Sequence, residues 1–189
     1  MLSGRRLDLL DPSPLDVEIT DIAHGLARVA RWNGQTLGDH AFSVAQHSLI
    51  VEEVCGDLAP QLSAEDRLIA LLHDAPEYVI GDMISPFKNV LGQGYREFED
   101  RLERAIHLRF GLPPVTNRKL KKLIKRADHI SAWLEAVQLA GFSATEADDI
   151  FGTPEVKSDK KLIPLPATEA QESFVARFNE ISEGLKTAL

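Results

Sequence analysis

The stretch Ser63-Ala64-Glu65-Asp66-Arg67-Leu68-Ile69-Ala70-Leu71-Leu72-His73-Asp74-Ala75-Pro76-Glu77 decides the fold class. Ser63 and Asp66 sit at the spacing of a capping box, which opens a helix. Leu68, Ile69, Leu71, Leu72 and Ala75 then leave that helix no polar face over two turns. A helix apolar all round is buried, the central helix of a helical domain. Pro76 removes a backbone donor and clashes with the Leu72 carbonyl, so the helix kinks or ends nearby.

Outward from this segment the chain reads as more helices. Thr20 and Asp21 offer a start, followed by Ile22, Leu26, Val29 and Ala30 at helical spacing. Ser43-Val44-Ala45-Gln46 reads as a reciprocal capping box for a helix that places Val44, His47, Val51, Val54 and Cys55 on one side. Gly81 and Pro86 mark a loop. A helix from Tyr95 carries Phe98, Leu102, Ala105, Ile106 and Phe110 and stops at Gly111 and Pro113-Pro114. Thr116 opens a long helix to about Ala140. The segment Ser143 to Leu165 is polar and broken by prolines, so it reads as mostly loop. Thr168-Glu169-Ala170-Gln171 reads as another capping box, before a stripe of Phe174, Phe178, Ile181 and Leu185. No strands alternate with these helices. The expectation is an all-α, single-domain helical bundle, with a core over about 20–141 and a C-terminal loop and packing helix over 142–189.

Composition narrows the functions. The 189 residues are 44% hydrophobic and 26% charged, with a formal net charge of −8. An acidic chain is a poor partner for duplex nucleic acid unless a local basic patch overrides its sign. The single cysteine, Cys55, excludes an internal disulfide scaffold and a Cys-rich zinc site. No apolar segment approaches the ~20 residues of a membrane span, and no secretory leader is evident, so a cytoplasmic location is expected.

Three features interrupt the apolar faces. They are His47, the pair His73-Asp74, and Asp128 between Ile124 and Ala132 on nearly the same side of the long helix. A buried carboxylate without a partner costs several kcal/mol, so each needs a counter-charge or a metal. One divalent cation explains all four residues together. Imidazole with carboxylate suits Mn, Fe, Co, Ni or Zn better than Ca. Four protein ligands on an octahedral ion leave positions for water and a substrate oxygen. Taken singly each feature is weak: a lone helical histidine is usually an ordinary core or boundary residue, and Asp128 could pair with Lys125. His24, His40, His107 and His129 read as incidental, with His107 on a charged face. The run Arg118, Lys119, Lys121, Lys122, Lys125, Arg126 reads first as a solvated helix face; attraction of an anionic substrate or of nucleic acid is the other reading.

The order His47, His73-Asp74, Asp128 on helices resembles the HD-domain metal-dependent phosphohydrolases. The local match resembles the HD-domain 5′-deoxyribonucleotidases most closely: Arg31-Trp32 precede the first histidine, Glu77 follows His73-Asp74, and Gly81-Asp82 and Pro86-Phe87-Lys88 come next. The resemblance spans roughly Asp21 to Glu135. It implies one divalent metal ion (Mn, Co, Zn, Fe or Mg) on His47, His73, Asp74 and Asp128. It implies further that Glu77 orients or deprotonates the attacking water and that Asp82 helps catalysis or positions the sugar. Arg31, Trp32 and Lys88 would hold the nucleotide. The expected reaction is removal of the 5′-phosphate from deoxyribonucleoside monophosphates. The lead before His47 is also similar to small phage dATP triphosphohydrolases, which release triphosphate, and a non-catalytic nucleotide-sensing module is the alternative of another class. The expected partner is a small-molecule nucleotide, with a homo-oligomer expected and neither membrane nor nucleic acid.

Overall fold

In a computed structural model, which describes residues 1–155 and 160–187, the described residues form helices and no strand; one isolated bridge joins Ala30 to Ser43. After a 3₁₀ turn at Pro14–Asp16 come α1 (Ile19–Leu26), a 3₁₀ turn at Arg31–Gly34, α2 (Val44–Leu58), α3 (Ala64–Leu71), α4 (Glu77–Ile80), α5 (Ser85–Leu91), α6 (Gln93–Arg109), α7 (Arg118–Gln138), α8 (Ala144–Phe151) and α9 (Ala167–Thr187). The chain is an all-α, single-domain helical bundle. Helix α2 packs along α7 and against α3, and α9 lies across α1, α2 and α3. The expected stripe of α9 is in the core, with Phe174, Phe178 and Ile181 buried and Leu185 packed at its edge.

Several local expectations are corrected. Helix α3 ends at Leu71, so His73 and Asp74 lie in the turns just past the most apolar helix and not within it. Without an N–H at Pro76 the ladder changes to short i→i−3 bonds, with Ala75 N–H to Leu72 O at 2.9 Å and Glu77 N–H to Asp74 O at 3.0 Å. Ser43 caps α2 through the Gln46 N–H, but the Gln46 side chain does not reach back. It donates to Ile163 O and accepts from Leu165 N–H, a matched pair for an amide, and so straps the C-terminal segment to α2. Ser63 likewise accepts from the Asp66 N–H, while the Asp66 carboxylate accepts from the Ser63 hydroxyl and leaves the Ser63 N–H out of the box. Asn117, and not Thr116, caps α7. The loop expected around Pro86 contains α5, and α6 begins at Gln93. Within the proline-rich segment, Ser143 and Glu146 form a true capping box that opens α8; residues 156–159 of that segment lie outside the described residues. Helix α9 starts at Ala167, one residue before the proposed cap Thr168. His107 is fully buried, not on a charged face. The chain folds back over it, and its Nδ1–H donates to Pro113 O at 2.8 Å.

A charged cluster clamps α9 to the bundle. Glu52 of α2, 1% exposed, accepts from Arg67 of α3 and, in a two-pronged contact at 2.8 Å, from Arg177 of α9. The arginines are about a quarter exposed and can turn to water when the carboxylate is lost. Glu52→Ala is therefore expected at the low end of the buried-pair range, ~3 kcal/mol less stable. For a chain of this size that is a melting temperature lower by ~6–12 °C, read by thermal denaturation. A melting temperature within a degree of wild type would refute the clamp.

Candidate metal and active site

Three structural pieces converge where the first turn of α2 meets the middle of α7. His47 lies in the first turn of α2, fixed there by the Ser43 cap. The turns after α3 deliver His73 and Asp74, and the middle of α7 delivers Asp128. One ligand atom each from His47, His73 and Asp128 lie within 4.8 Å of one another. Asp74 Oδ2 stands 3.2 Å from His73 Nε2 and 3.5 Å from His47 Nε2, and Asp128 Oδ1 stands 3.2 Å from His47 Nε2. All four sequence-derived ligands therefore meet, although Asp128 is more open than its apolar neighbours imply, with its side chain 38% exposed.

Both histidines turn Nε2 inward. His73 Nδ1–H is occupied by Ala70 O at 2.9 Å, and His47 Nδ1–H donates to Glu135 at 2.6 Å. The two Nε2 atoms are buried and make no hydrogen bond. Orphaned imidazole nitrogens facing two carboxylates are a donor set for a cation. Electrostatics agree. Burial and Arg31 both oppose a charge on His47, yet Glu135 and Asp128 outweigh them and push its pKa up to about 10. The pocket thus stabilises positive charge at this point. A divalent cation fits these residues.

The other sequence-derived residues surround the cluster. Arg31 pairs with Asp82 at 3.0 Å through Nη1 and with Glu135 at 3.2 Å through Nε. Lys88 of α5 bridges Glu77 at 3.3 Å and Glu99 of α6 at 3.0 Å. Glu77 is buried and its Oε2 lacks a partner. Burial first, and then the charges of Asp74 and Asp82, raise its pKa to about 9 against the pull of Lys88 and Arg31. Trp32 adopts left-handed backbone angles (φ 55°), unusual for a bulky residue. Its Nε1–H donates to Glu135 at 2.9 Å, and its ring meets Phe142 at 5.6 Å and Phe151 of α8 at 6.0 Å. Those contacts hold the strained turn in place.

Two residues here were not singled out from the sequence. Glu99 shares Lys88. Glu135, with no exposure, sits behind His47, Arg31 and Trp32 together. A signal for Glu135 existed: Asp128, Ser131 and Glu135 at i, i+3 and i+7 form a polar file along the apolar face of α7. The basic run from Arg118 to Arg126 is exposed, as its first reading expected. Lys119, Lys122 and Arg126 border a cavity of about 510 Å³ with the α2–α3 connection, and none of the ligands lines it.

The family model for 5′-deoxynucleotidase YfbR-like proteins matches residues 21–180, most of the chain and every site residue named above. The chain belongs to this family. YfbR-like proteins are HD-domain nucleotide phosphohydrolases, so the sequence-derived resemblance holds. The chain is also 58% identical over 187 residues to an uncharacterized protein of Rhodobacter capsulatus, covering 98% of this chain and 95% of that one. It is 33% identical over 173 residues to the uncharacterized protein YfdR of Escherichia coli, covering 92% and 89%. No helix among the described residues is long and apolar enough to cross a membrane.

Proposed function

We propose that the protein is a divalent-metal-dependent hydrolase that removes the 5′-phosphate from deoxyribonucleoside 5′-monophosphates, within a single HD domain whose core spans 20–141. The observation that carries this reading is the convergence of His47, His73, Asp74 and Asp128 with both Nε2 atoms orphaned, beside a buried Glu77. These four residues hold one ion, of which Mn, Co, Zn, Fe and Mg are the candidates. The ion, when bound, acidifies water and neutralises phosphate charge.

The chain's own residues do the rest. Glu77, buried and three residues from Asp74, orients the attacking water and takes its proton, its pKa brought down from the metal-free value once a bound cation offsets the charge of Asp74. Arg31 and Lys88 hold the phosphoryl oxygens, Arg31 in a forked contact and Lys88 as a point charge. Both are tied to carboxylates in the structure, so phosphate enters by exchanging for those partners. Asp82 then turns from Arg31 toward the sugar, and Trp32 offers its ring to the nucleoside.

The position of the basic run favours a monophosphate. Two further phosphates need further cations, and Lys119, Lys122 and Arg126 of that run border a different cavity. Incubation with deoxyribonucleoside mono- and triphosphates and each metal, with ion chromatography of the products, tests the reading. The expected product is inorganic phosphate from the monophosphate. Tripolyphosphate from dATP without monophosphate hydrolysis would refute it in favour of a triphosphohydrolase, and no cleavage with any metal would favour a nucleotide-sensing module. The cytoplasm and a homo-oligomer remain the proposed setting.

A further inference from the structure

Glu135 is fully buried, yet its carboxylate receives four donors, divided evenly between its oxygens. Oε1 accepts from His47 Nδ1–H at 2.6 Å and from the Ser131 hydroxyl at 3.0 Å. Oε2 accepts from Trp32 Nε1–H at 2.9 Å and from Arg31 Nε–H at 3.2 Å. One oxygen therefore faces a metal ligand and the other faces the two residues assigned to the nucleotide. These partners come from α2, from the 3₁₀ turn at Arg31–Gly34 and from α7 itself.

We propose that Glu135 is a positioning residue that couples the metal site to the nucleotide site, fixing His47 with one oxygen and aiming Arg31 and Trp32 with the other. The inference rests on the metal-site function proposed above and adds a role for a residue that is neither a proposed ligand nor a proposed nucleotide contact. On the His47 side, an acceptor at Nδ1 fixes the tautomer that leaves Nε2 free for a cation and makes that nitrogen a better donor; loss of such outer partners typically costs ~10–100-fold in metal affinity. On the other side, Oε2 anchors the guanidinium through Nε, which leaves its Nη groups to meet phosphate once Nη1 exchanges Asp82 for it. It also ties down the indole in a left-handed turn that would otherwise relax.

Two substitutions separate this role from a structural one. Glu135→Gln supplies one acceptor oxygen and an NH₂ that confronts donors on whichever side it faces. Glu135→Asp keeps the buried charge but retracts it by one methylene, too short to reach both sides. The measurements are cobalt(II) titration of metal-free protein, read by visible absorption, and steady-state hydrolysis of deoxyadenosine 5′-monophosphate at saturating cobalt. For both variants the expected result is cobalt affinity lower by ~10–100-fold together with a raised KM. A residue that merely balances charge would be rescued by Glu135→Asp. Wild-type cobalt affinity in Glu135→Asp, or weaker cobalt binding with an unchanged KM, overturns the proposal. If Glu135→Gln fails to fold, Glu135→Asp decides alone. Should wild type bind cobalt without cleaving the nucleotide, the substrate assignment fails while the cobalt affinities still judge Glu135. Wild-type cobalt affinity and KM in Glu135→Asp, with hydrolysis by wild type intact, remove the coupling role and leave the function standing.

Discussion

Asp128→Ala is expected to lose bound metal and hydrolysis together. Asp128 Oδ1 stands 3.2 Å from the orphaned His47 Nε2, and it is the ligand proposed from α7. Removing a direct ligand should cost more than the ~10–100-fold in affinity that loss of an outer partner does. The substitution should leave the fold intact, because the side chain is 38% exposed and its loss opens no sealed cavity. Elemental analysis of protein purified without chelator is expected to give about one equivalent of metal for wild type and much less for the variant. Thermal stability gives a second measure. A ligand that binds the native state raises apparent stability by mass action, so adding metal should raise the melting temperature of wild type and not that of Asp128→Ala. Equal metal content in the two proteins, or equal responses to chelator, would sink the assignment of the site.

Glu77→Ala should behave in the opposite way, keeping metal and fold while losing turnover by ~10²–10⁴-fold, the usual worth of one acid–base group. Lys88 would not be stranded by the change, since Glu99 still holds it at 3.0 Å. The Glu77 carboxylate pairs with Lys88 and makes no hydrogen bond or ion pair with His47 or His73, so the donor set is expected to survive. Metal content and turnover measured on the same preparation separate the cases. Metal lost along with activity would make Glu77 a ligand, and full activity would deny it any part in the reaction.

Much of this was legible in the chain because helical periodicity is local. The apolar run from Leu68 to Leu72 declared a buried helix, and α3 is buried over Leu68 to Leu71. His47 and Asp128 stood out by the same reasoning, as polar residues on apolar faces. The break at Pro76 was legible as well, since a missing N–H has consequences within four residues. Capping was legible only in part. The Ser-x-x-Glu pattern at Ser143 was present, but prolines around it argued for loop, and the box prevailed because both of its hydrogen bonds form.

The sequence by itself determined an all-helical chain and the types and order of four candidate metal ligands, because those depend on spacing along one helix or one turn. Only the tertiary structure decided which groups answer one another across the bundle. Glu135 meets His47 from 88 residues away and Arg31 from 104, Gln46 reaches Ile163 across 117, and Glu52 holds Arg177 across 125. No local pattern encodes such pairs. A buried carboxylate takes whatever donors the packing of α2 on α7 and of α9 on α2 brings within about 3 Å of it, and desolvation makes that choice binding.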